Sequence, residues 1–184
     1  MKIRVLQLGN NGVGKTFLIS NYLRNYTYQT IPTVGVELNI IYQKHSESND
    51  IKIFFWDCSG SEKFKNIIRS YYSKCDVFLI FFNANNICFI DEINKWFNEI
   101  KRYLSKSKTF ILVGNYKKNI NYNLQKEIIN YLNHNKMECI FINNYTDYNI
   151  ILNRVVDLYY KIKFKSSKNL MNKKKICCFN FLCL

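Results

Sequence analysis

Glycine and proline are nearly missing from this chain, with six glycines and a single proline among 184 residues. Alanine is scarce too, while Asn, Lys, Ile, Tyr and Phe are abundant. A/T-rich codons produce that bias without selection on the protein, so composition by itself decides little. Acidic residues are also few, 13 Asp+Glu against 27 Lys+Arg, and the resulting net charge of +14 attracts phosphate backbones or anionic lipid surfaces. No recognition-helix, stacking-aromatic or zinc pattern accompanies the charge, so nucleic acid is not the expected partner. The seven cysteines offer neither a disulfide framework nor metal-ligand spacing: Cys58, Cys75, Cys88 and Cys139 are scattered, and Cys177, Cys178 and Cys183 cluster near residue 184. Met1 leads straight into a strand-like run from Lys2 to Leu8. The reading therefore expects no signal peptide, no N-myristoylation because position 2 is Lys, and a chain kept on the reducing, cytosolic side.

At 184 residues and 22.1 kDa the chain fits one domain, long enough to bury roughly two-thirds of its unfolded surface. Ile3, Val5, Leu6 and Leu8 form a short apolar run that ends at a glycine loop, and an apolar-periodic segment from Lys15 to Tyr26 follows it. This is strand, loop, helix. Residues 36–44 and 51–57 flank a polar turn, Ser46 to Asp50, and predict an antiparallel hairpin. Asp76–Phe82 and Thr109–Val113 predict buried strands, with Asp91–Leu104 an amphipathic helix between them. Leu124–Leu132, Cys139–Ile142 and Tyr148–Ile162 continue as helix, strand, helix. Such alternation predicts an α/β fold, a mostly parallel sheet with helices on both faces. Residues 1–163 are expected to form that domain, and 164–184, where lysines replace the apolar period, a flexible basic tail.

The few glycines fall together in meaning. Gly9, Gly12 and Gly14 lie in Gly-Asn-Asn-Gly-Val-Gly-Lys-Thr, residues 9–16, which matches G-x-x-x-x-G-K-[ST]. Backbone N–H groups of such a loop, from Gly9 and Asn11 through Gly12, Val13 and Gly14 to Lys15, Thr16 and Phe17, turn toward phosphate at a helix N-terminus. Lys15 would reach the β and γ phosphates, and Thr16 would offer its hydroxyl to Mg²⁺. Asp57, 42 positions after Lys15 at the end of a strand, suits a carboxylate that holds magnesium through water. Gly60 would turn a bare N–H toward the γ phosphate. Thr33, after the only proline, Pro32, can close over the metal only when a γ phosphate is present.

Further segments carry a resemblance to small GTPases of the Rab branch. Val34-Gly35-Val36-Glu37-Leu38 resembles the Rab segment Ile-Gly-Val-Asp-Phe. Residues 63–68 with Tyr71-Tyr72-Ser73-Lys74-Cys75 resemble the Rab second switch and its sequel, Trp96 fits the third helix, and Leu112-Val113-Gly114-Asn115 fits the strand that leads to the base site. The likeness covers residues 1 to about 163. It implies a P-loop G domain with a six-stranded sheet, one antiparallel hairpin and five helices, and a Mg²⁺-dependent GTP/GDP switch. It also implies a monomer whose effector, activating and exchange proteins are read by residues 26–38 and 58–74 in vesicle trafficking.

The departures are as informative. Trp56-Asp57-Cys58-Ser59-Gly60-Ser61-Glu62 stands where the family has Trp-Asp-Thr-Ala-Gly-Gln-Glu, so the water-orienting glutamine is Ser61, too short to reach the same water. Catalysis expected of Lys15, Thr33 and Gly60 is then slow unless a partner supplies the missing group. The family's Asn-Lys-x-Asp becomes Asn115-Tyr116-Lys117-Lys118, which exchanges a carboxylate for a donor-only side chain. Two lost charge-assisted bonds, at about 1.5–3 kcal/mol each, predict guanine binding or selectivity weaker by roughly two to four decades. Tyr116 and Tyr26 are expected to stack on the purine, and Asn144 and Tyr145 stand in the second base motif. Lys173-Lys174-Lys175-Ile176-Cys177-Cys178 combines a basic run with paired cysteines, the two-signal logic of anchoring to the cytosolic face of an internal membrane. A Cys-a-a-X box would need cysteine where Phe181 stands, so prenylation, palmitoylation of Cys177, Cys178 or Cys183, and an unmodified tail all remain open. The alternative to a switch is a non-catalytic pseudo-GTPase scaffold in membrane trafficking.

Overall fold

The structure is a computed structural model and describes residues 1–23, 32–46, 49–104, 108–117, 119–143 and 149–168. In chain order the elements are β1 (Lys2–Gly9), α1 (Lys15–Tyr22), β2 (Val36–Ser46), β3 (Asn49–Cys58), a 3₁₀ turn (Glu62–Phe64), α2 (Lys65–Tyr72), β4 (Val77–Asn83), α3 (Phe89–Tyr103), β5 (Thr109–Asn115), α4 (Tyr122–Asn135), β6 (Cys139–Ile142) and α5 (Asn149–Lys168). The six strands form one sheet in the order β2-β3-β1-β4-β5-β6. Only the β2–β3 hairpin is antiparallel; the pairs β1–β3, β1–β4, β4–β5 and β5–β6 are parallel.

Strand alternation divides the core in two. Ile3 and Val5 of β1, with Ile53, Phe55, Leu79 and Phe81, face Leu18 and Ile19 of α1 and Ile151, Leu152, Val155 and Val156 of α5. Leu6 and Leu8, with Phe78, Ile80 and Phe82, face Ile68 and Tyr72 of α2, Phe89, Ile93, Trp96 and Ile100 of α3, and Ile128 and Leu132 of α4. The uninterrupted apolar run of β4 follows directly, because a strand covered on both faces has no solvent side. On α3 the buried residues recur at three- and four-residue steps, the stripe expected of a helix packed on one side.

Most element ends shift by a few residues from the sequence reading, and three differences matter here. The apolar period had no helix at 65–72, yet α2 forms there and buries Ile68 and Tyr72 against α3 and the sheet. Strand β5 runs to Asn115 rather than Val113, because Gly114 and Asn115 pair with β4 on one side and β6 on the other. Helix α5 extends to Lys168, past Ile162 and across the expected boundary at 163/164. Among the described residues no helix is long and apolar enough to cross a membrane.

Candidate functional site

The C-terminal ends of the parallel strands bring Gly9, Asp57, Asn83 and Asn115 to one edge of the sheet. Strand β1 lies between β3 and β4, so the chain winds away from it in both directions, and the loop that follows it opens at the switch point where α/β sheets bind ligands. Residues 10–14 span β1 and α1, and two constraints fix the loop's shape. Gly14 has φ 99°, and a Cβ there would sit 2.4 Å from Asn115 Nδ2. A side chain at Gly60 would meet Asn11 N at 2.4 Å and the Asn10 carbonyl carbon at 2.5 Å, so the segment after β3 rests directly on the loop. Only glycine permits either approach.

Lys15 is buried, and its ammonium donates to the carbonyls of Gly9 at 3.0 Å and Asn10 at 2.9 Å. Burial lowers its pKa to about 8, against the opposing pull of Asp57 and Cys58. Trp96 of α3 donates from Nε1 to Asn10 Oδ1 at 3.2 Å, which ties the loop to the opposite helical layer.

Beside the lysine, three oxygens converge. Thr16 Oγ1 donates to Asp57 Oδ2 at 2.5 Å, Thr33 Oγ1 donates to the same oxygen at 3.1 Å, and the two hydroxyl oxygens are 2.9 Å apart. Asp57 is 1% exposed, and burial raises its pKa, partly offset by the Thr16 hydrogen bond and the Lys15 charge. Its second oxygen, Oδ1, is buried with no hydrogen-bond partner among the described residues. A carboxylate and two hydroxyls are hard oxygen donors that suit Mg²⁺, which takes one or two protein oxygens and completes its octahedron with phosphates and waters. Among the described residues no group of three His, Cys, Asp or Glu could hold a metal by itself. The donor set thus fits a cation shared with an anionic ligand, and the orphaned Oδ1 leaves one acceptor still to be satisfied.

The two segments that flank this site are joined, since Ser59 N donates to Gly35 O at 2.9 Å. Ser61 N donates to Ser59 Oγ at 3.3 Å, and Glu62 pairs with Lys65 and Lys95 at 2.5 Å each. Phe17 is half-buried in the first turn of α1. At the other end, Asn115 donates through Nδ2 to Val13 O at 3.0 Å, which couples β5 to the loop. Tyr116 packs half-buried against the core layer of α3 and α4, and its hydroxyl accepts from Asn143 Nδ2 at 3.0 Å. Tyr26, Lys118, Asn144, Tyr145, Cys177 and Cys178 lie outside the described residues.

The structure brings together Lys15, Thr16, Thr33, Asp57 and Gly60 with the loop, and adds residues that the sequence reading passed over. Asn10 bridges Lys15 and Trp96; only its place inside the glycine motif hinted at it. Ser59 is buried and anchors both flanking segments. On the outer surface, Trp56 of β3 meets Tyr71 of α2 edge-to-face at 5.1 Å, beside Leu38 of β2, 49% exposed. The pairing of Leu38 with Trp56 across the hairpin is a register fact that no local pattern reveals.

Comparison with known proteins accords with this geometry. The Ras family model matches residues 4–180. Ras-related protein RABD2b of Arabidopsis thaliana is 31% identical over 113 residues, 61% of this chain and 55% of that protein. GTP-binding protein ypt1 of Schizosaccharomyces pombe is 31% identical over 136 residues, 71% of this chain and 66% of its own length. Ras-related protein Rab-1C of Dictyostelium discoideum is 30% identical over 116 residues, 62% and 57% of the two chains. The matched segment thus spans between about half and two-thirds of these relatives. With a sheet wound outward from β1, a glycine loop at its switch point and a family match over nearly its whole length, the chain belongs to the Ras family.

Proposed function

We propose that the chain is a Rab-like small GTPase. It binds GTP or GDP with Mg²⁺, hydrolyses GTP slowly or with a partner's help, and recruits effectors in intracellular vesicle trafficking. The observation that carries this reading is the convergence of Thr16, Thr33 and Asp57 beside the buried ammonium of Lys15. A carboxylate and an ammonium buried in one loop system cost stability unless a ligand of matching charge completes the site. Phosphates and a divalent cation supply that charge.

In this role the loop from Gly9 to Thr16 cradles phosphates through backbone N–H groups, and Lys15 turns from the Gly9 and Asn10 carbonyls to the β and γ oxygens. Thr16 and Thr33 would present hydroxyls to the metal, and Asp57 would help to hold it. Magnesium, when bound, neutralises charge that develops between the β and γ phosphates. Thr33, whose hydroxyl meets Thr16 and Asp57, and Gly60, which rests on Asn10 and Asn11, would each sense the γ phosphate and report it to residues 32–38 and 58–74. Ser61 cannot orient a water as a glutamine does, so unaided hydrolysis is slow. Asn115, Tyr116, Lys118, Asn144 and Tyr145 are the residues available to the base.

Effectors would dock on residues 26–38 and 58–74, where Val34, Leu38 and Ile67 expose 80%, 49% and 51% of their surfaces and Leu38 pairs across the hairpin with Trp56. Apolar exposure on this scale, clustered on nucleotide-sensing segments, suits a partner that binds one nucleotide state. The basic tail with Cys177 and Cys178 would hold the domain at the cytosolic face of an internal membrane.

Purification in Mg²⁺, release of whatever is bound and its chromatographic identification test the reading, followed by titration of the emptied protein with GDP, ADP and XDP. Stoichiometric GDP with selective rebinding is the expected result. Empty protein without nucleotide preference would overturn the switch and leave a scaffold.

A further inference from the structure

Of the buried polar groups that lack a partner among the described residues, one lies next to Asp57 and has no role in the scheme above. Gln7 is 0% exposed, and neither its Nε2 nor its Oε1 has a hydrogen-bond partner among the described residues. An amide desolvated without hydrogen bonds destabilises the fold, which an apolar side chain in the same place would not do. The neighbours on its face of β1, Ile3 and Val5, are apolar as that rule expects.

Its location gives the amide a purpose. Gln7 is the register partner of Asp57 on β3 and of Leu79 on β4, and paired strands lie only about 4.8 Å apart. Alternation places Ile3, Val5 and Gln7 of β1 on the same face as Ile53, Phe55 and Asp57 of β3. That face lies under α1, from which Thr16 reaches Asp57. Asp57 Oδ2 takes both threonine hydroxyls, while Oδ1 is buried and unpartnered. An amide donor in want of an acceptor therefore stands beside a carboxylate oxygen in want of a donor, within reach of a glutamine rotamer change.

We propose that Gln7 is a positioning residue for the magnesium site: its Nε2–H donates to Asp57 Oδ1 when the site is filled and fixes the carboxylate plane. Oδ2 is thereby kept toward Thr16, Thr33 and the metal's water shell. The proposal rests on the magnesium–nucleotide reading above. Partners of this outer kind are typically worth 10–100-fold in metal affinity.

The test compares the full chain with Gln7→Met and Gln7→Leu, both close in volume and neither a donor. The readout is the release rate of fluorescent GDP as a function of free Mg²⁺, alongside melting of the nucleotide-free protein. Gln7 as a positioning residue raises the Mg²⁺ concentration for half-maximal retention about ten-fold in both variants, while the melting temperature holds or rises. A half-maximal concentration within about two-fold of the original in both variants overturns the role, whatever happens to melting. The unsubstituted chain supplies a second readout that needs no variant to fold: the Gln7 side-chain amide resonances move when Mg²⁺ is added to the GDP complex. If they stay in place, the role is overturned again. GDP release that ignores Mg²⁺ in the unsubstituted chain would overturn the magnesium reading and Gln7 with it, whereas Mg²⁺ dependence that survives unchanged in the variants removes Gln7 alone.

Discussion

At the end of the cleft proposed for phosphate, Lys15, Thr16, Thr33 and Asp57 interlock within hydrogen-bond distance, and Gly60 rests on the loop backbone. At the end proposed for the base, Asn115 donates its amide to Val13 O and the Tyr116 hydroxyl is taken by Asn143. The two ends differ in how a ligand is recognised. Phosphate is gripped by backbone N–H groups and point charges, which any sequence supplies once three glycines, a lysine and a threonine are in place. A base is read by the donor and acceptor pattern of particular side chains, so a single exchange such as Lys118 for a carboxylate reverses the chemistry. Chemical demand, rather than distance from the core, separates what this chain has kept from what it has altered.

The largest effect should come from the phosphate end. Lys15→Ala removes the ammonium and its charge-assisted contacts to the β-phosphate oxygens, so GDP affinity in a fluorescence titration should fall on the order of a thousand-fold while the circular dichroism of the fold is retained. Retention of tight GDP would break the comparison. Lys118→Asp attacks the other end by restoring a carboxylate, and should raise GDP affinity and its preference over XDP roughly a hundred-fold by calorimetry. No gain would mean that the base end has been rebuilt on other contacts.

Asp57→Asn keeps the size of the side chain but weakens its hold on the metal's waters. The Mg²⁺ needed for half-maximal nucleotide retention should rise about 10–100-fold, with a smaller change in affinity measured without metal. Ser61→Gln restores reach toward the attacking water, so single-turnover GTP hydrolysis should speed up by roughly ten-fold. A rate that does not change would place the deficit elsewhere among the γ-phosphate contacts.

Much of this was legible without coordinates. The glycine loop announced itself by spacing, and the placement of Asp57 at a strand end made sense once Lys15 was fixed. Helix α2 was not legible from periodicity and entered only through the five helices the resemblance implied, because Lys65–Tyr72 covers little more than two turns and its burial depends on α3 and the sheet. Gln7 was invisible for a related reason: a glutamine inside an apolar strand reads as a minor irregularity until the register sets it beside Asp57. The same holds for the surface made by Leu38, Trp56 and Tyr71, which come from three elements.

The order of strands and helices, the two-sided burial of β4 and the chemistry of the phosphate loop were determined by the sequence alone, since each depends on residues close together in the chain. Which carboxylate oxygen the two threonines share, what lies beside it, and how Asn115 and Trp96 brace the loop were decided only by the tertiary structure. Those contacts join residues dozens of positions apart, and strand register and helix docking, which local pattern does not encode, set the distances between them.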